Sequence, residues 1–451
     1  MDYRIEFSRI ARRKFAKFGQ FDAKRVMKLL RVFLSQFAQV RRLNRPAKLF
    51  LLALLLDGFL FSGWNLFFNF YILEAGFGRE YLGLINAMPS IAALIFGVPM
   101  GMLSDRIGRK RAMILGFTAA NVAIIVMCSV RQPLVMLAMA FVWGVSGQLY
   151  VLSHAPFMMK VSDDSSRDLL FSVSFGVFPL ANTFGNAVAG LLPGLFSHLF
   201  GVADHSALAY QAVLLTSVIS SFLVLAPIAF IREPQTRLEA ERAVSPRASR
   251  QPVWSVLIRP LTLKLALPNL ITGFGAALLI PYLNLFFVER HHVSDQTLGL
   301  LFSASALLIG VASFIGPRLV GNLGGKIRMI VLVQSASLAF LLVLGFSPLV
   351  WLAVVGFLVR GTLMNMAAPL FDAYAMELTP EAEQGALNSI RSWAWNFGWA
   401  VGPYISGLVQ EKYGFAPLFI NTAILYAIAI GVTWLFFGRK RPATVAAVPA
   451  A

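Results

Sequence analysis

Twelve stretches of about twenty or more mostly apolar residues, separated by short polar turns, take up nearly the whole of this chain. They lie near 48–73, 80–102, 112–130, 133–158, 169–193 and 207–231, then near 262–288, 296–320, 329–346, 348–376, 385–410 and 416–437. A run of about twenty apolar residues, coiled as a helix, matches the thickness of a bilayer's hydrocarbon core. A chain crossing that core must satisfy its backbone N–H and C=O groups internally, and runs this long do so as α-helices. The turn Gly101-Met-Leu-Ser-Asp105-Arg106-Ile-Gly108-Arg109-Lys110-Arg111 is so short that spans two and three must form a tight hairpin. Glycines at 101 and 108 are expected to allow close helix approach and a sharp turn there.

Charge sets the orientation. Charged residues make up 13% of the chain, against about 25% in a soluble domain. In a soluble protein, a net charge of +18 would suggest a nucleic-acid partner. Here the cations sort by membrane side instead: 33 of the 39 Lys and Arg fall in the N-terminal tail, the even-to-odd turns, the central linker and the C-terminal tail. Arg79, Arg131, Arg290 and Lys412 face the other side, and Arg360 and Arg391 fall within spans. The positive-inside rule then places both termini in the cytoplasm of a multi-pass protein of the plasma or inner membrane. No nucleic-acid partner is expected. The one cysteine, Cys128, lies mid-span as a small buried hydrophobe, and neither a metal site nor a cofactor is expected.

The chain also repeats. Asn65-Leu-Phe-Phe68 recurs as Asn284-Leu-Phe-Phe287, and Leu82-Gly-Leu84 as Leu298-Gly-Leu300. Ala155-Pro156, Gly185 and Gly194 match Ala368-Pro369, Gly398 and Gly407 in the same order. Six spans separate the partners, so both copies cross in the same direction. The expected fold is an all-α integral membrane protein of twelve transmembrane helices, in two parallel six-helix repeats around a central cavity. Five segments are expected: a basic tail 1–46, a six-helix bundle 47–231, a hydrophilic linker 232–261, a second bundle 262–438 and a tail 439–451.

Glycine, aspartate, arginine, glycine and further cations at these spacings between two spans resemble the loop between helices two and three of the major facilitator superfamily of secondary transporters. The resemblance implies alternating access, a small-molecule substrate and a conformational gate built on Gly101, Asp105, Arg106, Gly108, Arg109 and Lys110. It further implies that Asp105 docks on the inner end of span eleven in the outward-open state. There Thr379-Pro380 reads as a helix start that favours an anion, and Glu381 and Glu383 would pair with Arg109 or Arg111. Gly398-Trp-Ala-Val-Gly402-Pro403 resembles the Gly-Pro signature that proton-driven drug exporters carry in span five. In this chain that signature lies in span eleven; span five lacks the Gly-Pro pair, and span four lacks the exporters' arginine.

Polar groups inside a bilayer invite a functional reading. Asp57 in span one is a protonatable group, a substrate contact or a structural carboxylate bonded to a neighbouring helix; Trp64 lies seven residues on, with Asn65 and Asn69 to one side, forming an expected cavity strip. Asp372 and Arg391 are placed to pair, and Asp372 is a second candidate for proton coupling. Arg360 is the candidate partner of an anionic substrate group, or counter-ion to Asp57. His154 is either a titrating group or a plain interfacial histidine. Asn284, Arg391, Trp395 and Asn396 complete the candidate cavity residues. His291 and His292, with Glu289 and Asp295, read as a surface loop.

Val26, Leu29, Leu30, Phe33 and Phe37, with Lys24, Arg25, Lys28 and Arg31 between them, read as a basic amphipathic helix on anionic inner-leaflet lipid. Met27 is an alternative start. The expected protein is a monomer and not an enzyme, moving an amphipathic or hydrophobic solute with or without protons. The competing classes are a polytopic membrane enzyme, which would need a convergent His/Asp cluster at one membrane face, and a transport-inactive sensor.

Overall fold

The computed structural model describes residues 39–163, 166–232, 256–319 and 325–438. The basic tail helix, the alternative start and most of the central linker lie outside these residues. The described chain is helical: α1 Arg45–Glu74, α2 Arg79–Ile107, α3 Arg109–Ser129, α4 Pro133–Val161, α5 Leu169–Phe200 and α6 Ala207–Phe230. The second set is α7 Pro260–His291, α8 Asp295–Leu319, α9 Lys326–Phe346, α10 Val350–Glu377, α11 Glu381–Tyr413 and α12 Ala416–Gly438. Among the described residues eleven helices are long and apolar enough to cross a membrane. The twelfth, α11, is diluted by polar side chains such as Gln384, Asn388, Arg391 and Asn396, yet at 33 residues it packs along both α7 and α2.

Local chemistry sets the ends. Asn44 caps α1 by accepting from the Ala47 amide (2.9 Å) and donates to the Val161 carbonyl (2.5 Å), tying the start of α1 to the end of α4. Gln132 and Ser206 cap α4 and α6. One residue, Gly108 at φ +92°, joins α2 to α3, and Gly325 at φ +109° precedes α9 in the equivalent place. An L side chain is strained at either position. Gly101, by contrast, sits within α2, and an added Cβ there would meet only Leu152 at 4.0 Å. It is therefore not a point of close helix approach. In that region α4 reaches backbone contact through Gly116, facing the Tyr150 amide of α4, and Gly144, facing Pro89 of α2.

Within each half the repeat is visible in packing. Gly185 lets α5 press on Phe59 and Ser62 of α1, and its repeat partner Gly398 lets α11 press on Gly273 and Phe274 of α7. Buried clusters fill both halves; the largest is built around Phe67, Tyr71, Tyr210, Tyr282, Phe287 and Phe419.

The two halves are bonded at the face opposite the α2–α3 turn. There α2 meets α11, where Gly83 lies under Tyr404 and Gly407 under the Arg79 backbone; α5 meets α8 at Gly190 and Gly299. Arg79 donates to Glu289 (2.7 Å) and Gln410 (3.1 Å), and its amide donates to Glu411 (2.9 Å). Tyr404 donates to Glu80 (3.1 Å). Asp295, expected in a surface loop, instead starts α8. It is 8% exposed and takes the Tyr210 hydroxyl at 3.1 Å, with His205 at 3.3 Å. The loop reading fails there because the α7–α8 turn closes against α6. A short 3-10 turn, Ile280–Tyr282, interrupts α7 at Pro281.

Candidate functional site: a cavity in the first half

A cavity of about 760 Å³ lies among α1, α3, α4 and α5. Its walls are aromatic and aliphatic, with Phe50, Phe61, Phe117, Trp143, Phe175 and Phe178 contributing rings. Asp57 is the carboxylate in that lining, and the Tyr150 hydroxyl donates to its Oδ2 at 3.4 Å. His154 stands one turn beyond Tyr150 on α4, with its ring edge-on to Tyr150 (4.4 Å) and Phe50 (5.3 Å). Its Nε2 is buried without a hydrogen-bond partner among the described residues. Asn65 is exposed towards the same cavity. Asp57, Tyr150, His154 and Asn65 thus place a carboxyl, a phenol, an imidazole and an amide in one apolar chamber.

Tyr150 and Asn121 escaped the sequence reading. Tyr150 lies four residues before His154, across the turn at 152–153, and a phenol so near that histidine in sequence is the signal that could have found it. Asn121 is a polar residue in the middle of α3; it accepts from Ser221 (3.2 Å) and leaves its amide nitrogen unpartnered among the described residues.

Four expected cavity residues lie elsewhere. Trp64 is 3% exposed, stacked on Phe68 (4.4 Å) and edge-on to Trp143 (5.4 Å), so it belongs to the core. The helical run of α1 breaks at Phe61, and the seven-residue stripe from Asp57 does not survive the break. Asn69 is buried and donates to Asn284 (3.1 Å) and to the Pro281 carbonyl (2.6 Å). Asn284 returns a bond to the Leu66 carbonyl (2.7 Å), and Asn86 donates to Asn69 (3.1 Å). These amides join α1 to α7, so the residue facing Asn284 across the halves is Asn69, one turn beyond its sequence match Asn65. Asn396 donates back to the Ser392 carbonyl on its own helix (2.9 Å).

Arg360 does not act as counter-ion to Asp57. It is 6% exposed and donates to the Tyr426 hydroxyl (3.1 Å) on α12, within the second half. Asp372 and Arg391 do meet, at 2.5 Å, and with Trp395 they line a second, smaller cavity of about 290 Å³ in that half.

At the α2–α3 turn, Asp105 pairs with Arg109 one helical turn on, and its side chain is 57% exposed. Arg109 also donates to Ser104 (2.9 Å), and Lys110 reaches the Ala229 (2.6 Å) and Ile231 (2.8 Å) carbonyls at the end of α6. Arg106 is exposed. In this conformation Glu383 takes Arg259 at 2.5 Å; its expected partnership with Arg109 or Arg111 belongs to the outward-open state. Nor does Thr379 cap α11. Its hydroxyl donates back to the Ala375 carbonyl (2.9 Å), and Pro380 occupies the cap position.

The family model for the major facilitator superfamily matches residues 49–267 and again 265–451. The chain belongs to that superfamily. Over 384 residues it is 25% identical to multidrug resistance protein MdtG of Dickeya zeae, covering 83% of this chain and 90% of that one. It is also 25% identical to the multi-drug resistance efflux pump PmrA of Streptococcus pneumoniae, over 80% of this chain and 88% of the relative. Among solved structures, the bacterial homologue of the human lysosomal transporter Spinster, inward-facing and occupied, superimposes with a TM-score of 0.71 at 13% identity. That match covers 88% of this chain and 98% of the other. This major facilitator protein is therefore a multi-pass membrane transporter with the two-repeat, twelve-helix fold.

Proposed function

We propose that this transporter exports a hydrophobic or amphipathic small molecule by alternating access, exchanging it for protons through Asp57. The observation that carries the reading is the first-half cavity. About 760 Å³ of ring-lined space suits a drug-sized apolar body, and Asp57 supplies a carboxyl able to bind and release a proton there. The printed names of MdtG and PmrA, a resistance protein and an efflux pump, support export.

In this conformation the bonds between the halves gather on the face opposite the α2–α3 turn. With the cation-rich face inside, the cavity would load from the cytoplasm. Opening of the opposite face would then release the solute, and a proton arriving from outside would neutralise Asp57 for the return. Both termini are cytoplasmic in this reading, the membrane is the plasma or inner membrane, and the unit is a monomer.

The test is uptake of a neutral amphipathic dye, Nile red, into inside-out proteoliposomes under an imposed pH gradient. Asp57→Asn should abolish gradient-driven accumulation and retain dye exchange at equal pH. If Asp57→Asn concentrates dye as well as the unmodified protein, Asp57 is structural and the coupling assignment passes to Asp372.

A further inference from the structure

The second cavity has a chemistry the first lacks. It lies between α7, α9, α10 and α11, and its polar lining includes Asn269, Thr272, Gln334, Asn365, Asp372 and Arg391. Arg391 is 3% exposed. Its guanidinium rests over the Phe371 ring at 5.2 Å and gives one hydrogen bond, from Nη2 to Asp372 at 2.5 Å, while its Nε is buried without a partner among the described residues. A guanidinium has five N–H donors, so this buried cation keeps donor capacity beyond its one bond to Asp372.

Its partner is held differently. The Asp372 side chain is 62% exposed, against 4% for that of Arg391. The pair can therefore part at the aspartate end, with Asp372 turning into open space while Arg391 stays fixed. Arg391 and Asp372 are the charged residues of the lining; the rest of its polar groups are amides and hydroxyls, which hydrogen-bond an oxyanion without repelling it.

We infer that this cavity is an anion subsite in which Arg391 receives a compact oxyanion, a carboxylate, sulfonate or phosphate, and Asp372 is the built-in occupant that the incoming anion displaces. As the head-group site of an amphipathic solute, it rests on the transport reading above. The solute class then narrows to amphipathic anions, with the charged head in the second half and the apolar body in space bordered by rings such as Trp395.

Naphthalene-2-sulfonate, inorganic sulfate and neutral 2-naphthol serve as probes, with binding to detergent-purified full-length protein read by thermal shift and calorimetry. Arg391→Gln should weaken naphthalene-2-sulfonate about tenfold or more, the scale of a charge-assisted hydrogen bond, and leave 2-naphthol unchanged. Asp372→Asn, at an exposed position that tolerates change, should tighten the sulfonate about two- to fivefold, because the competing charge of a partly exposed pair is gone. A sulfonate that outbinds sulfate identifies a solute head group, and equal binding identifies a site for the free inorganic ion; both place the anion at Arg391. Equal sulfonate affinity in the unmodified protein and Arg391→Gln, or weaker affinity in Asp372→Asn, overturns the subsite. Failure of the proteoliposomes to accumulate either Nile red or naphthalene-2-sulfonate under the pH gradient, alongside intact sulfonate binding, would refute the export reading and leave the subsite standing.

Discussion

Replacing Gly407 with alanine tests whether the bonded face is a mechanical closure. A Cβ at this position would sit 3.0 Å from the Arg79 carbonyl carbon and 3.2 Å from Glu80 Cα, both main-chain atoms of the other half. Backbone of a packed helix cannot step aside as a flexible side chain can. Overpacking a tight contact by one methyl costs about 1–3 kcal/mol. That cost falls on the conformation in which α2 and α11 touch and vanishes when they separate. The ratio of closed to open outer faces should therefore drop about 5- to 150-fold. Spin labels on cysteines introduced at Glu74 and Tyr413, exposed positions on the outer ends of α1 and α11, read the change as a longer distance component in pulsed electron resonance. Cys128 is fully buried and contributes no label. Gly431→Ala is the control, since a Cβ there meets nothing within 4 Å; it should leave the distances alone. A Gly407→Ala protein that folds normally with an unchanged distance distribution would refute the reasoning.

Arg79→Gln removes the guanidinium shared by Glu289 and Gln410 while leaving the backbone bond to Glu411, and should open the same face more mildly. The Glu289 pair is partly solvent-exposed at both ends and is worth about 1 kcal/mol or less, so the same label pair should show a smaller long-distance component than in Gly407→Ala. Asp105→Asn removes the carboxylate expected to dock on α11 when the inner face closes. It should lower transport and bias the protein towards the conformation described here by at most about 1–2 kcal/mol, and unchanged flux with unchanged outer-face accessibility would exclude that role. Cysteines introduced at positions 235 and 445 should react with a membrane-impermeant maleimide only from the cytoplasmic side, and labelling of either site on intact cells would reverse the orientation.

The twelve crossings could be read from sequence because a bilayer leaves a chain few options, and length with apolarity is the signal for the one used. Gly108 was legible for a related reason: so short a turn between two spans must bend sharply, and glycine permits the φ such a bend needs. Its counterpart Gly325, followed by Lys326 and Arg328, carried the same signal and went unmatched. The cavity was half legible. Asp57 and Asn65 announce themselves as polar residues in an apolar run, whereas Trp64 was assigned to the cavity because a helical stripe was extended through Phe61, where α1 breaks. Arg360 misled differently. Its depth was clear from position, but its direction depends on Tyr426, which is 66 residues away and visible only in the folded chain. Asn284 shows the limit of repeat matching. Its motif aligns with Asn65, while the amide it meets is Asn69, because a match in letters is blind to a one-turn offset between packed helices.

The interruption at Pro281 gives α7 two loyalties. Its first part, up to Leu279, is bound to its own half: Ser406 donates to the Leu278 carbonyl (2.5 Å), and Thr422 to the Gly275 carbonyl (3.0 Å). Its last part, from Leu283, keeps ring contacts with its own half, Phe286 on Phe419 (4.8 Å) and Phe287 on Phe357 (5.3 Å), and adds bonds to the other half through Asn284 to Leu66 and Glu289 to Arg79. The Pro281 carbonyl at the joint is taken by Asn69. One helix thus reaches across to the other domain at its tip, and any separation of the halves must be absorbed at residues 280–282 or at the bonds of the tip. The two bundles do not meet as independent bodies with a dividing plane between them; they are stitched, and the stitch is where the motion must begin or end.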